Sequence, residues 1–302
     1  MLIKKIVLFV LICTSLLSAN SAFFKGLTDI VDGAEKEKAE KYKVLNYAFK
    51  QRMRTQLIAR DVLLINMNFN TAYYQREALK NADAFNENFY KLINSKEEIE
   101  NAKKQYPNFA TKIEDLNRRW SEFYKSVKNI SKDSNDKKSI HFIVENNIKI
   151  LENIAYIFTS FIESYQSHDK LEASMAHIKS MLYTQVGKPR LYFNQIVKEK
   201  LSIKENIHLD ASQKDIQNII KKMDRLMNAL KSGDRELELS GTEERAILEK
   251  LSISQKIWEA GKELILKKKL TTTEWATLIE QNDLFIKAQT EVVTLVRSSH
   301  DN

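Results

Sequence analysis

Apolar side chains recur at three- and four-residue steps along most of this chain. The first such stretch runs from about Ala34 to Met67, and its recurring positions are Leu45, Ala48, Phe49, Met53, Leu57 and Leu64. Such spacing lines one face of an α-helix. The pattern predicts further helices over about 72–93 and 110–130, and a fourth that begins near Lys138. Six glycines and two prolines in 302 residues provide few turns, so we predict an all-α fold.

The chemistry of the first predicted helix returns 138 residues later. Arg52 is matched by Arg190, and the pair Arg60-Asp61 is matched by Lys198-Glu199. The same offset holds without a gap at Ile58/Ile196, Leu63/Leu201, Ile65/Ile203, Asn68/Asn206, Leu92/Leu230 and Trp120/Trp258. One offset over this span indicates an internal repeat.

We therefore predict two tandem four-helix bundles that share a long connecting helix, with a first module over 34–165 and a second over 166–300. The connecting helix is expected because no strong stop signal precedes Pro189, which should kink it near Gln185. In the second module the pattern predicts helices over about 210–230 and 242–267. The last helix should begin with a capping box formed by residues 271–274, which read Thr-Thr-Thr-Glu.

The first residues, Met1–Ala22, predict a secretory signal peptide. Lys4 and Lys5 precede the apolar run Ile6–Leu17, which is shorter than the roughly 20 residues of a membrane span. An uncleaved anchor is the alternative. The only cysteine, Cys13, lies in this segment, so the mature chain would offer neither a disulfide nor a thiolate metal site. Since no later apolar run approaches the length of a span, we expect a soluble, exported, periplasmic protein.

The charge of the chain favours anionic partners without indicating nucleic acid. The formal net charge is +8, and removal of Lys4 and Lys5 leaves +6, mixed with 40 acidic residues. The five histidines lack the spacing of metal ligands, and the sequence has no Gly-rich phosphate loop, nucleophile elbow or HExxH motif. We therefore predict a non-enzymatic protein with no cofactor and no metal site.

The first helix carries cations on an otherwise apolar face. Arg52, Gln56 and Arg60 follow one another at four-residue steps and share one side of the helix. A guanidinium beside Met53 and Leu57 needs a hydrogen-bond acceptor. A carboxylate from another helix would make a structural ion pair, whereas a small oxyanion would make a ligand site, because planar guanidinium groups match planar oxyanions. The residues alone leave both alternatives open.

The segment from Asn46 to Ile65, with its core KQRMRTQ at 50–56 and ARD at 59–61, resembles a known signature helix. This is the first helix of the N-terminal sensing domain of type IV pilus methyl-accepting chemotaxis transducers and nitrate/nitrite sensor kinases, the PilJ/NarX-like family. Later hallmarks of the family are matched by Phe85, Phe89, Leu92 and Trp120 in the first copy and by Leu230, Gly233 and Trp258 in the second. The resemblance covers nearly the whole mature chain, as two tandem copies.

The resemblance implies a periplasmic four-helix sensing bundle in which arginines of two signature helices clasp one small anion, such as nitrate or nitrite. Arg52 is then the position expected to contact the anion, with Arg190 or a second subunit of a homodimer contributing the other cation. Two positions depart from the family pattern, because Phe49 replaces its glycine in the first copy and Pro189 its glutamine in the second.

Two functions follow from these observations. Relatives in the family lie between two membrane spans and drive an output domain, neither of which is found in this sequence. The first function is an exported anion sensor that acts through a membrane sensor kinase or chemotaxis receptor, with Arg52, Gln56, Arg60 and Arg190 as ligand-binding residues. The second is a periplasmic structural or adaptor bundle without a small-molecule ligand. Arginines paired with carboxylates favour the adaptor, and arginines around an unpaired polar hollow favour the sensor.

Overall fold

α-Helices make up nearly all of the chain that the computed structural model describes, which comprises residues 50–93, 96–165, 170–207 and 213–301. These residues belong to one compact unit, Tyr47–Asn302. In chain order their helices are α1 (50–66), α2 (Thr71–Ile93), α3 (Lys96–Gln105), α4 (Phe109–Lys132), α5 (Lys137–Tyr165), α6 (Lys170–Glu205), α7 (Gln213–Ser232), α8 (Arg245–Leu266) and α9 (Thr272–Asp301). No β-strand occurs in the described part of the chain, so the predicted all-α class is confirmed.

Several of the sequence predictions fall wholly or partly on residues that the structure does not describe. These are the signal peptide, Met1–Ala22, the start of the first predicted helix at 34–49, the junction 166–169 between α5 and α6, and the start of the helix predicted over 210–230. One long connecting helix therefore stays a prediction. Helix α6 continues through Pro189, although a proline there cannot donate a backbone hydrogen bond to the carbonyl of Gln185.

Helix α3 was not predicted from the sequence. It buries Ile99 and Ala102 against the first repeat. The corresponding residues 234–243 of the second repeat form the 3-10 turn Arg235–Leu237 instead, and the side chain of Asp234 caps that turn. The two repeats therefore differ in how they connect their second and third predicted helices.

The two tryptophans that the 138-residue offset pairs make matched side-chain contacts. The indole Nε1 of Trp120 donates a hydrogen bond to Asn86 Oδ1 at 3.1 Å, and that of Trp258 donates to Asp224 Oδ1 at 2.6 Å. Asn86 and Asp224 are themselves separated by the 138-residue offset. A buried tryptophan keeps one polar group, which needs a partner. Both repeats satisfy that group in the same way, with a side chain 34 residues earlier in the chain.

The ends of α1 and α6 are also equivalent. Asn68 and Asn206 have positive φ values of 56° and 51°. The following amides of Phe69 and Ile207 donate to carbonyl oxygens five residues back, at 2.9 and 3.2 Å. Asparagine tolerates this left-handed conformation better than most residues and often ends helices. The repeat therefore specifies where each of these helices stops.

Reciprocal contacts join the two repeats. Arg60 of α1 donates to Asn282 Oδ1 of α9 at 2.6 Å, and its counterpart Lys198 of α6 donates to Asn147 Oδ1 of α5 at 3.2 Å. Both asparagines lie ten residues after the first residue of their helix. Each repeat thus places its first helix against the last helix of the other repeat.

The core of the two repeats is filled in complementary ways. In the second repeat the ring of Phe193 packs edge-on against Trp258 and Phe285, with centroid distances of 5.2 Å to each. A Cβ atom at Gly261 would lie 2.5 Å from Phe193 Cζ. In the first repeat the corresponding residues are Thr55 and Phe123, so the large side chain lies on the other helix. Each repeat thus combines one large and one small side chain at these two positions, which keeps their summed volume similar.

We expect Gly261→Ala to lower the free energy of unfolding by about 1–3 kcal/mol, although alanine favours helix formation. The loss arises because the added methyl group displaces the buried ring of Phe193. Urea denaturation measures it, and Ser252→Ala on the exposed side of α8 is the control. A second substitution, Phe193→Leu, should recover part of the loss. Equal stability of Gly261→Ala and the parent would contradict this account.

Candidate functional site

Arg52 of α1 lies beside Lys188 and Tyr192 of α6. Burial lowers the pKa of Arg52, and the Tyr192 hydroxyl partly offsets this. Burial also lowers the pKa of Lys188, and the positive charge of Arg52 lowers it further. The pKa of Tyr192 is raised by burial, with Arg52 opposing. Since the charge of Arg52 acts on both Lys188 and Tyr192, α1 and α6 bring two cations and a phenol into one partly desolvated region.

Arg52 has no carboxylate partner among the described residues. Its side chain is half-buried, and its buried Nε forms no hydrogen bond with the described part of the chain. Lys188 donates to the neutral oxygen Oε1 of Gln185 at 2.9 Å. Partly buried cations need compensating acceptors, and none of the described carboxylates forms an ion pair with Arg52 or Lys188. The local charge therefore favours an incoming anion.

Two buried amides follow this cluster along α1 and α6. Gln56 lies one turn after Arg52, and its counterpart Asn194 lies one turn after Arg190. Both side chains are 0 % exposed. Neither the oxygen nor the nitrogen of either amide forms a hydrogen bond to any described residue. Buried amides in native proteins nearly always have partners, so these four polar atoms indicate a place for a ligand or for ordered water.

Arg60 lies in a different environment. Its Nε and Nη2 donate to Asp61 Oδ1 at 3.0 and 2.8 Å, and its Nη1 donates to Asn282 Oδ1 and Asp283 Oδ1 at 2.6 Å each. Burial lowers the pKa of Arg60, but Asp61 and Asp283 outweigh it and raise the pKa overall. Burial raises the pKa of Asp61 to about 7, although Arg60 opposes the shift. Arg60 thus makes the structural ion pair that was one of the two alternatives for these arginines.

The residues predicted as ligand-binding are therefore divided between three environments. Arg52 and Gln56 lie on the α1 side of the cation and amide region. Arg60 lies two turns further along α1, in the ion cluster with α9. Arg190 of α6 donates to the hydroxyl of Thr290 on α9 at 3.0 Å. We call the set Arg52, Gln56, Lys188, Tyr192 and Asn194 the inter-repeat polar site.

Three members of the inter-repeat polar site were not predicted. Asn194 could have been found by applying the 138-residue offset to Gln56, which matches an amide with an amide. Lys188 could have been found in the same way from Lys50. Tyr192 corresponds to Arg54, so no chemical similarity in the sequence indicates it. Its position depends on how α1 and α6 pack.

Among the described residues no group of three or more histidine, cysteine, aspartate or glutamate side chains is arranged to hold a metal ion. None of the described helices combines the length and apolarity that crossing a membrane requires.

Comparison of the chain with protein-family models, with curated proteins and with solved structures finds no match in any of the three.

Proposed function

We propose that this chain is an exported, non-enzymatic sensory protein that binds a small oxyanion at the inter-repeat polar site. The observation that carries the proposal is the charge of that site. The positive charge of Arg52 lowers the pKa of Lys188, and no described carboxylate forms an ion pair with either side chain. Two fully buried amides without hydrogen bonds lie next to them along the same helices. Perturbed, poorly compensated groups of this kind are concentrated at functional sites.

The proposal includes an architecture for the two copies. In it, α1, α2, α4 and α5 form one four-helix bundle, and α6 to α9 form the other. Asn66, near the end of α1, donates to Glu205 at the end of α6 at 2.6 Å. Arg52 meets Lys188 and Tyr192 toward the other end of α1, so α1 and α6 run in the same direction. One chain would thus supply both signature helices that a homodimer of the resembled family brings together.

The chemistry of the site suits a small planar oxyanion such as nitrate or nitrite. The guanidinium of Arg52 offers coplanar donors, Lys188 offers a positive charge, and Gln56, Asn194 and Tyr192 offer neutral donors. Partial burial strengthens each of these interactions relative to water. Binding would also remove the repulsion between Arg52 and Lys188. The bound state would therefore hold α1 and α6 together more firmly, which a membrane sensor kinase or chemotaxis receptor could detect as a change in the bundle.

Calorimetric titration at constant ionic strength tests the proposal, with nitrate, nitrite and formate as probes. We expect one anion to bind with a dissociation constant below about 1 mM, and Arg52→Gln to weaken binding about 10- to 100-fold, as expected for loss of a charged hydrogen bond. Arg76→Gln is the matched control, because Arg76 is an exposed arginine on α2. Absence of binding, or equal binding by Arg52→Gln, would overturn the proposal.

The second candidate is a structural or adaptor bundle in the periplasm, and the contacts of Arg60 favour it. That arginine is held by Asp61, Asn282 and Asp283, as expected if the cationic face serves to join the repeats. If the chain is such an adaptor, Arg52→Gln should leave its binding of nitrate, nitrite and formate unchanged in the titration.

A further inference from the structure

The turn between α8 and α9 carries three consecutive lysines, Lys267, Lys268 and Lys269, and all are exposed. Leu266, directly before them, is a large apolar side chain that is 48 % exposed. We call residues 266–270 the basic turn. Its sequence, Leu-Lys-Lys-Lys-Leu, combines positive charge with apolar side chains.

The backbone of the basic turn is fixed from both sides. The amine of Lys200 on α6 donates to the carbonyl oxygens of Ile265 and Lys267 at 2.9 and 2.8 Å. On the other side, the amide of Thr271 donates to Glu274 Oε2 at 2.8 Å, and the amide of Glu274 donates to Thr271 Oγ1 at 3.2 Å. This is the predicted capping box. The lysines are thus presented on an ordered support.

Most of the charge of this surface is not compensated. Lys267 pairs with Glu274 at 2.6 Å. In the described part of the chain, Lys268 and Lys269 form no ion pair, and Lys204 of the neighbouring helix lies over the ring of Trp275 at 5.3 Å from its centroid. Three ammonium groups therefore face solvent at one end of the second repeat.

The corresponding turn of the first repeat mixes its lysines with acidic residues. Between α4 and α5 the chain reads Ser-Lys-Asp-Ser-Asn-Asp-Lys-Lys at 131–138, so Asp133 and Asp136 lie between Lys132 and the two following lysines. Lys137 also donates to Asn66 Oδ1 at 2.6 Å. Asp136 there accepts hydrogen bonds from Ser139, in the same capping role. Because this turn forms without three consecutive lysines, the run at 267–269 is not required for such a turn to form.

We propose that the basic turn binds the surface of an anionic phospholipid bilayer. Its cations are all lysines, which act as compact point charges rather than as the planar guanidinium forks that select one phosphate group. A diffuse plane of negative charge suits such a cluster, and each lysine near the surface strengthens binding about fivefold. Leu266 is placed to enter the interface between headgroups and acyl chains. The proposal does not depend on anion binding at the inter-repeat polar site.

Cosedimentation of the full chain with vesicles tests the proposal in nitrate-free buffer. Vesicles of phosphatidylcholine with 30 % phosphatidylglycerol are compared with pure phosphatidylcholine. We expect binding only to the anionic vesicles, and weakening as salt rises from about 50 to 500 mM, because salt screens exposed charges. Lys268→Gln combined with Lys269→Gln should reduce the partition coefficient about 10- to 30-fold, and Leu266→Ser should reduce it further.

The matched control is Lys132→Gln combined with Lys138→Gln, which removes two exposed lysines around the turn of the first repeat. It should change the partition coefficient of the parent by less than about twofold. The reason is that, in the proposal, binding depends on the lysines of the basic turn and not on the net charge of the chain. Far-ultraviolet circular dichroism confirms that each variant is folded. An equal loss in the control, equal binding to both vesicle types, or binding to an acidic protein but not to vesicles would overturn the proposal.

Discussion

Replacing Arg60 by alanine is expected to lower the free energy of unfolding by about 3–5 kcal/mol. Arg60 is only 4 % exposed, and it holds Asp61, Asn282 and Asp283 at once. Its removal leaves the buried carboxylate of Asp61 without a counter-charge in the described structure. It also breaks the contact between α1 and α9, and with it one of the two reciprocal contacts between the repeats.

Urea denaturation followed by circular dichroism measures the loss. Arg118→Ala is the matched control, because Arg118 pairs with Asp115 but its side chain is 70 % exposed, so that change should cost less than about 1 kcal/mol. The double variant Arg60→Met with Asp61→Leu should be more stable than Arg60→Ala, since it leaves no buried charge unpaired. If Arg60→Ala costs no more than Arg118→Ala, the ion cluster does not join the repeats.

The helical class and some of the positions paired by the 138-residue offset were predictable because both depend on local or evenly spaced information. Few glycines and prolines and a three-to-four-residue apolar period predict helices directly. The 138-residue offset then predicted that Trp120 and Trp258 are equivalent, and the structure gives them equivalent hydrogen bonds. Asn68 and Asn206 were also matched by the offset, and both have positive φ.

The contacts between repeats were not predictable from the same information. Arg60 and Asn282 are 222 residues apart, and the asparagine carries no motif that marks it as a partner. Helix α3 was missed because residues 96–105 are rich in charge, with few apolar positions to show a period. Packing of distant segments decided both features, and local propensity is a weak guide to it.

The candidate site shows the same limit. The sequence placed Arg52 and Arg60 in one row on one helix, with the same two alternatives for both. The structure gives Arg60 two carboxylates, and among the described residues it gives Arg52 none. The two arginines differ because Arg60 is contacted by Asp283 of α9, whereas Arg52 is near Lys188 of α6. A helical pattern shows which side chains share a face, but it does not show what that face meets.

Replacing Gln56 by methionine is expected to raise the free energy of unfolding in anion-free buffer by about 1–3 kcal/mol. The amide is fully buried, and neither of its polar atoms is hydrogen-bonded within the described structure. Methionine has nearly the same shape and no polar group to desolvate. If the amide serves a ligand, the same substitution should remove most of the added stability that nitrate gives the parent, about 2.7 kcal/mol at one hundred times the dissociation constant.

Urea titrations with and without nitrate measure both effects, and Asn194→Leu should repeat them from the α6 side. The matched control is Gln75→Met, because the Gln75 amide donates to the carbonyl of Ile130 at 2.8 Å. That change should lower the free energy of unfolding by about 1 kcal/mol and leave the nitrate response intact. A loss of stability in Gln56→Met as large as that of Gln75→Met would show that the Gln56 amide is satisfied in the folded protein. If Gln56→Met raises the free energy of unfolding while Gln75→Met lowers it, the unpaired amides are kept at a cost to the stability of the fold, as residues of a binding site are.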